Sequence, residues 1–297
     1  MKILDYIKDK NILPASAVAL GKFEGIHLGH RLLIDGAVAY AKEQGISSVV
    51  FTICQPGAAR IYTKAERADV LTGLNVDVDM ECAFTPEFMA LSPEKFVEQV
   101  LVESLHATCV FVGEDFRFGK DRAGNADTLR ELGEKYGFRV SVYEKLCMDG
   151  SEISSSRIRD LLAEGRIAQA NALLGRAYAV SGTVREGKRL GNTIGFPTLN
   201  LYPEREKLLP LPGVYGTEVL VDGKTYRAIT NVGSNPTVEH GKELKVESHL
   251  LDFDENAYGK EIEVRFLSFV REECRFPSIN ELKNQIKSDI LSLVANV

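Results

Sequence analysis

The sequence is short of several features that would place it in a specialised class of protein. Only five of its 297 residues are cysteines, and these are scattered with no Cys-x-x-Cys pair, so we expect reduced thiols and no zinc site. No apolar run approaches the length of a membrane span. The first residues also lack the long apolar stretch of a signal peptide. We therefore expect a cytoplasmic protein with no membrane partner.

An excess of basic residues is missing as well. The chain has 36 Lys+Arg against 42 Asp+Glu, a formal net charge of −6, which argues against a broad nucleic-acid-binding surface and predicts no nucleic-acid partner. The sequence has no repeats and no low-complexity linker. Its 44% hydrophobic and 26% charged residues are typical of a globular protein, and its length is sufficient for two domains.

Histidine is also scarce, and two of the 5 histidines lie close together. The run 21–30, Gly-Lys-Phe-Glu-Gly-Ile-His-Leu-Gly-His, lies between a predicted buried strand and a predicted amphipathic helix. Helix N-termini attract phosphate, glycines let the backbone approach it, and imidazoles can stabilise charge on a transferring phosphoryl group. The alternative is a surface turn that holds two histidines by chance. The run predicts a phosphate-binding site.

Up to about residue 150, short apolar runs alternate with helical stretches. This pattern predicts an α/β domain with an open, doubly wound parallel sheet. In such sheets, ligands bind beyond the carboxyl ends of the strands. The run 21–30 lies at such an end, and so does the run 113–119, Gly-Glu-Asp-Phe-Arg-Phe-Gly. A helix start rich in serine and arginine follows at 154–159, where we favour a phosphate contact over simple helix capping.

From Tyr178 the period of the hydrophobic pattern becomes two. Several hairpin-linked strands, with a type I′ turn at Asp222-Gly223, are followed by a capping box at Ser278 that opens a last helix. The pattern predicts a small antiparallel β-barrel with a C-terminal helix. We place the boundary between the two domains after residue 175, which gives domains of residues 1–175 and 176–297.

The second half carries its own polar constellation. A glycine-rich segment ends in Thr198 and Asn200, which share a face if they lie in a strand. Their oxygens suit a hard cation beside a nucleotide phosphate, although an ordinary hairpin loop explains the glycines equally well. Glu247 and His249 share another strand face. Glu247 could accept a proton from a substrate hydroxyl, or it could simply pair with a lysine or arginine.

Taken together, these runs resemble the bacterial bifunctional riboflavin kinase/FAD synthetase (FMN adenylyltransferase) family from about Val18 to Ile290. The runs that carry the resemblance are 21–30, 113–119, 154–159, 195–200, 247–253 and 258–260. The resemblance implies a Rossmann-like nucleotidyltransferase domain followed by a β-barrel riboflavin kinase domain. It implies that riboflavin is phosphorylated by ATP to FMN, and that FMN is then adenylylated to FAD with release of pyrophosphate. The implied partners are riboflavin, FMN and ATP, with Mg²⁺ as cofactor; self-association is compatible with the sequence.

The resemblance also implies roles for individual residues. In the kinase half, Glu247 is the general base, Thr198 and Asn200 hold Mg²⁺ and the ATP phosphates, and Arg271 contacts the flavin. In the N-terminal half, His27 and His30 stabilise the transferring phosphoryl group. The remaining implied contacts are, for ATP, Gly21, Phe23, Glu24, Gly25, Gly29, Ser155, Ser156, Arg159, Gly182, Lys188, Gly195 and Pro197 and, for the flavin, Asp115 and Phe118.

The sequence departs from the family pattern mainly in its N-terminal half. Glu24 replaces an aspartate, Gln55 a histidine, Arg67 a lysine and Ser156 a threonine. Three hypotheses follow: a bifunctional enzyme, a riboflavin kinase with a degenerate or altered adenylyltransferase domain, or a flavin- or nucleotide-binding regulatory protein. The set Thr198, Asn200 and Glu247 argues against the last hypothesis, because binding alone does not require a general base.

Overall fold

The chain forms two compact units. The computed structural model describes residues 1–9, 13–54, 57, 59–187, 190–237 and 241–295, so the predictions for Gln55 and Lys188 lie outside the described residues. The first unit comprises Met1–Ala58 and Lys64–Ser154, and the second comprises Ala59–Thr63 and Ser155–Val297. The domain boundary placed after residue 175 stays a prediction.

The first unit is built on a six-stranded parallel sheet, which confirms the predicted α/β class. The strands lie in the order β1-β4-β3-β2-β5-β6. They are β1 Lys2–Asp5, β2 Ser16–Gly21, β3 Ser47–Cys54, β4 Val78–Ala83, β5 Ala107–Gly113 and β6 Arg139–Tyr143. The chain moves outward from β2 to β4 and then returns to the other side for β5 and β6. The winding direction therefore reverses between β2 and β5, the place where open α/β sheets bind ligands.

Helices cover both faces of this sheet. They are α1 Leu28–Gln44, α2 Lys64–Gly73, α3 Pro86–Met89, α4 Pro93–Phe96 with a π-helical continuation Val97–Ser104, and α5 Ala126–Tyr136; a two-stranded hairpin, β7 Cys147–Met148 and β8 Ser151–Glu152, follows β6. The side chains of successive residues of β2 pack into two hydrophobic clusters on opposite faces of the sheet. Val18 and Leu20 join the cluster that contains Phe96, whereas Ala17 and Ala19 join the cluster under α1. The strand that ends at the first motif is therefore fixed from both sides.

The second unit contains a curled, six-stranded antiparallel sheet and a C-terminal helix, as predicted. The strands lie in the order β10-β13-β12-β11-β14-β9. They are β9 Tyr178–Thr183, β10 Leu199–Leu201, β11 Gly213–Val221, β12 Lys224–Thr237, β13 Gly241–Leu250 and β14 Glu261–Arg271. A bridge between Arg185 and Asn200 joins the segment after β9 to β10, the opposite edge. Asp222 and Gly223 have φ values of 47° and 79°, which confirms the predicted turn.

In the described part of the second unit, this sheet is accompanied by the helices α6 Ser155–Ala163, α7 Ile167–Leu174, α8 Leu190–Ile194 and α9 Ile279–Ala295. Helix α7 is tied to the sheet through Asn171, whose Nδ2 donates to Phe266 O at 2.8 Å while its Oδ1 accepts from Tyr178 N at 2.7 Å. At the start of α9, Glu281 N donates to Ser278 Oγ at 3.3 Å, which confirms that Ser278 caps this helix. Of the helices in the described ranges, none has the length and apolar character needed to cross a bilayer.

The segment Ala59–Thr63 belongs to the second unit, although it lies between β3 and α2 in the chain. The main chain of Arg60 pairs with that of Lys207, with Leu208 N donating to Arg60 O at 2.7 Å. The buried ammonium of Lys207 donates to Ile61 O at 2.7 Å and lies 4.6 Å from the ring centre of Tyr178. This short segment is therefore an integral part of the second unit.

Candidate active sites

The turn between β2 and α1, residues 21–30, is called the histidine turn below. It contains two non-glycine residues with left-handed φ, Phe23 at 41° and Ile26 at 40°, and both side chains are fully buried. The ring of Phe23 folds back so closely that a Cβ on Gly21 would lie 3.1 Å from it. Glu24 is half-buried and Gly25 is buried. The backbone of the turn is thus held in a costly conformation by core packing.

His27 and His30 are brought together at the start of α1. His27 is the N-cap, and its Nδ1 accepts from His30 N at 3.3 Å. The two rings are stacked with centres 3.7 Å apart, and a Cβ on Gly29 would lie 3.2 Å from His27 Nδ1. The first turn of α1 contains no acidic residue, so nothing within it offsets the positive helix end. The arrangement suits an anionic phosphate group.

The segment after β5 lies across the switch point from the histidine turn, because β2 and β5 are neighbours in the sheet. Asp115 is exposed and forms an ion pair with Lys145 at 3.1 Å. Hydrogen bonds to the carboxylates of Glu152 and Asp115 raise the pKa of the Lys145 ammonium. Phe118 is buried and packs on Phe96 at 5.3 Å between ring centres. Of the two flavin contacts predicted in the N-terminal half, Asp115 is therefore on the surface and Phe118 is in the core.

Ser155, Ser156 and Arg159 lie in the first two turns of α6, in the second unit. Ser155 and Arg159 are half-buried and Ser156 is exposed. Ile158 lies on the buried side of the helix. The three polar residues are therefore carried by a helix that is anchored through its apolar face.

Arg67, which replaces a family lysine, is buried in the first unit. Its guanidinium donates to Asp79 from Nε at 3.1 Å and from Nη2 at 3.0 Å, and it also contacts Glu81. Thr52 Oγ1 donates to the same Asp79 at 2.9 Å, and Lys64 pairs with Glu81 at 2.6 Å. This network links α2 to β3 and β4. The guanidinium of Arg67 is therefore engaged by Asp79 and Glu81, two carboxylates of β4.

In the second unit, three polar residues from three strands lie side by side, and we call them the polar row. Asn200 on β10 is directly opposite Glu247 on β13, which in turn is directly opposite Asn231 on β12. Directly opposed residues of antiparallel strands share one face of the sheet. The hydroxyls of Thr230 and Ser248, one residue along, form a buried hydrogen bond of 2.8 Å on the other face. The sheet register therefore assembles the predicted base with one of the predicted metal ligands.

Asn200 combines a buried side chain with an amide oxygen that is available to a cation. It is 4% exposed, and its Oδ1 has no hydrogen-bond partner among the described residues. A Cβ on Gly187 would lie 2.9 Å from that oxygen, so glycine is what allows the loop after β9 to close over it. Thr198 is half-buried two residues earlier, and its carbonyl is 3.4 Å from Asn200 Nδ2. A buried amide oxygen beside a hydroxyl fits Mg²⁺, which takes few protein ligands together with phosphate oxygens.

His249 fixes the segment that precedes β10. Its Nδ1 is 2.7 Å from the carbonyl of Pro197, and its ring packs edge-on against Phe196. Gly195, with φ 85°, supplies the left-handed turn before them. Gly182 lies in β9, where a Cβ would make only an ordinary contact of 3.8 Å with Leu201. His249 thereby holds the chain leading into Thr198.

Arg271 closes β14 and is firmly anchored rather than free. Its guanidinium donates to both oxygens of Asp289 on α9 at 2.9–3.1 Å, and Asp289 is 3% exposed. Nη1 also donates to Glu272 O at 3.0 Å. Through Val214 of β11, β14 continues the register of the polar row, since Val214 is opposite both Asn231 and Arg271. The structure thus places Arg271 at the sheet position two strands beyond Asn231.

Sequence reasoning missed two members of this surface. Asn231 had no assigned role, and its Nδ2 donates at 3.0 Å to Glu273 in the segment after β14. Lys245 was also overlooked, although its ammonium lies 2.6 Å from Glu247 Oε1. The i, i+2 spacing of Lys245 and Glu247 was the one available signal, because it puts both on the same face of a strand.

Comparison with known proteins agrees with this division of chemistry. A family model described as FAD synthetase matches residues 9–157, and one described as riboflavin kinase matches residues 174–295. The bifunctional riboflavin kinase/FMN adenylyltransferase of Escherichia coli K12 is 36% identical over 98% of this chain and 96% of its own length. The corresponding protein of Haemophilus influenzae is 35% identical over 94% and 93%. The chain belongs to the bifunctional riboflavin kinase/FMN adenylyltransferase family.

A solved structure extends the likeness to the whole fold. A Streptococcus pneumoniae protein, described as a macrolide-efflux protein, superposes with a TM-score of 0.87 at 29% identity and covers 97% of both chains. Each of the two candidate sites lies in the part of the chain that one of the two family models matches. The FAD synthetase model covers the histidine turn and Ser155, and the riboflavin kinase model covers the polar row. The resemblance stated from the sequence is confirmed, and the chain is an enzyme with both transferase domains.

Proposed function

We propose that this chain converts riboflavin to FMN at the polar row and FMN to FAD at the histidine turn. The observation that carries the proposal is the register of the second sheet, which puts Glu247 directly opposite Asn200, whose buried amide oxygen has no hydrogen-bond partner among the described residues. A proton acceptor next to a cation and phosphate ligand is what a hydroxyl-phosphorylating site requires. Membership of a family with both domains supports the two-step order.

In the kinase step, Glu247 accepts the proton of the ribityl 5′-hydroxyl while the oxygen attacks the γ-phosphorus of ATP and ADP leaves. Thr198 and Asn200 would hold Mg²⁺, which neutralises charge on the phosphates when bound. The closely packed loop at Gly187, together with Gly182, Gly195 and Pro197, would cover the nucleotide. The family resemblance implies the same role for Lys188, which lies outside the described residues. Arg271 would lie on the flavin side. Most of the catalysis in such a site comes from positioning and charge neutralisation.

In the adenylylation step, the phosphate of FMN is itself the nucleophile. It attacks the α-phosphorus of ATP, and the bond to the departing pyrophosphate breaks. His27 and His30 would stabilise the charge on the transferring group, together with the N–H groups at the start of α1. Ser155, Ser156 and Arg159 would contact the ATP phosphates, whereas Asp115 and Phe118 would lie near the flavin. The stacked imidazoles support this assignment.

We also propose that the protein works in the cytoplasm, because all five cysteines are free. Its substrates there would be riboflavin, FMN and ATP.

One incubation tests the proposed function. Riboflavin, ATP and Mg²⁺ are supplied, and the flavins are separated by chromatography. FAD with some FMN is the expected result. Accumulation of FMN alone would restrict the activity to the kinase, and untouched riboflavin would contradict the proposal for both steps. Omission of Mg²⁺ with added chelator should abolish both products.

A further inference from the structure

Lys245 is a buried cation next to the proposed kinase base. Its side chain is 9% exposed, whereas that of Glu247 is 33% exposed, and Nζ lies 2.6 Å from Glu247 Oε1. Lysine is almost never buried without a partner, because desolvating an ammonium is costly. An exposed lysine would hold that carboxylate less firmly, because surface ion pairs contribute little free energy. The ion pair is therefore a built feature of the site.

The residues around Lys245 restrict the position of its ammonium group. On β12 the residue directly opposite is Gly233, which has no side chain. On the other side, the ring of Tyr202 lies with its centre 5.9 Å from Nζ, a weak cation–π contact. Among the described residues, Glu247 is the one carboxylate paired with Lys245. The lysine has an enclosed stem and a single anionic partner.

We propose that Lys245 is a positioning residue for phosphoryl transfer and acts through Glu247. It engages Oε1 and holds one rotamer of the side chain, which leaves Oε2 to accept the proton of the substrate hydroxyl. The O–H bond breaks toward Oε2, the hydroxyl oxygen bonds to the γ-phosphorus, and the bond to ADP breaks, while Lys245 keeps its protons. This inference rests on the proposed role of Glu247 as the general base.

The physical reason is the freedom that Glu247 would otherwise have. A glutamate side chain has several staggered rotamers, and a third of this one is exposed to solvent. A misplacement of about 1 Å at a reacting group can cost about 10²-fold in rate. Neutralising the cation without changing its bulk should therefore lower the turnover of riboflavin more than the affinity for ATP.

A double-mutant cycle tests the proposal with four full-length proteins: wild type, Lys245→Met, Glu247→Gln and the double variant. The kcat for FMN formation should fall about 10- to 100-fold in Lys245→Met and about 10²- to 10⁴-fold in Glu247→Gln. The double variant should be no slower than Glu247→Gln, because the lysine has nothing left to position. The KM for ATP should change by less than about threefold, since a residue that acts only through Glu247 makes no contact with the nucleotide.

Two controls separate this role from a structural one. Lys224→Met removes an exposed lysine of the same sheet, 71% exposed, and should leave kcat unchanged. Adenylylation of supplied FMN, measured on each preparation, should also stay at the wild-type rate. If Lys245→Met does not fold, Lys245→Arg retains the charge and should keep most of the kinase activity.

The remaining outcomes identify which idea fails. Wild-type kcat in Lys245→Met with an inactive Glu247→Gln would overturn the positioning role alone. A double variant slower by the product of the two single effects would show that Lys245 acts independently of Glu247, which also overturns it. An active Glu247→Gln would overturn the proposed base, and the inference about Lys245 would fall with it.

Discussion

The histidine turn and the polar row are the two proposed catalytic surfaces, and they are assembled in different ways. The turn takes all its groups from ten consecutive residues, and the main chain positions them through the left-handed conformations of Phe23 and Ile26. The row takes its groups from three strands, and the register of hydrogen-bonded pairs positions them. One site depends on the conformation of a single loop, whereas the other depends on the correct pairing of distant segments.

This difference predicts where each site is sensitive. A one-residue slip of β13 would turn Glu247 to the opposite face of the sheet, because side chains alternate along a strand. The histidine turn does not depend on strand register. It is sensitive instead to side-chain atoms added at Gly21 and Gly29, where a Cβ would meet a ring at 3.1–3.2 Å. If the two sites are independent, each substitution below should affect one reaction and spare the other.

The largest effect is expected for Glu247→Gln, which keeps the shape of the side chain and removes the proton acceptor. FMN formation should fall about 10²- to 10⁴-fold, while adenylylation of FMN is unchanged. The matched control is Glu263→Gln in β14, because Glu263 is 31% exposed and pairs with Arg265 two residues away. Equal losses in both variants would show that the effect is structural.

His30→Ala should have the opposite selectivity, with adenylylation lowered and riboflavin phosphorylation unchanged. Loss of a group that stabilises transition-state charge costs about 2.7–4 kcal/mol in comparable sites, so FAD formation from FMN should fall about 10²- to 10³-fold. Riboflavin phosphorylation should be unaffected. His106→Ala, at an exposed position in the same unit, serves as the control. Full adenylylation by His30→Ala would mean that the histidine turn has another purpose.

The domain boundary after residue 175 can be tested with two fragments, both of which lack residues 59–63 of the second unit. A fragment of residues 155–297 keeps α7, whereas one of residues 176–297 loses its buried Leu173 and Leu174. Removing even one buried leucine costs about 2–5 kcal/mol, so we expect the shorter fragment to be less stable by at least that amount. Urea unfolding followed by circular dichroism, together with a kinase assay, measures the difference. Equal stability would support the boundary after residue 175.

The smallest effect concerns the backbone of the histidine turn. In Gly29→Ala the new Cβ would lie 3.2 Å from His27 Nδ1, a contact tight enough to shift the ring by a few tenths of an ångström. Adenylylation should fall about three- to tenfold, less than the roughly 10²-fold cost of a 1 Å displacement, with the kinase rate unchanged. Gly73→Ala, where the added Cβ meets nothing within 4 Å, should be neutral.

The contrast between a site built from one loop and a site built from paired strands also explains which features could be predicted from the sequence. The histidine turn, the alternation of strands and helices, and the hairpin at Asp222-Gly223 are all local patterns, and the structure confirms these local structures. Strand β1 lies at the edge of its sheet and has only four residues, too few to show a periodic pattern, and it escaped prediction. The neighbours of Glu247 on the adjacent strands could not be inferred, because the strand register that opposes Asn231 to Glu247 depends on distant pairing. Nothing periodic in residues 59–63 indicates that they belong to the second unit.

That last segment has a consequence for the order in which the protein is made. Ile61 and Lys207 are 146 residues apart, so at about 5–20 residues per second the acceptor is synthesised roughly 7 to 30 s before its donor. In that interval β4, β5 and β6 are synthesised, and residues 59–63 have no partner from residue 207 to pair with. During synthesis, residues 59–63 therefore remain without the partners that they have in the folded protein. This segment includes Tyr62, which is 4% exposed once the protein is folded. Translation speed and chaperone access during this interval should affect the yield of the second unit more than that of the first.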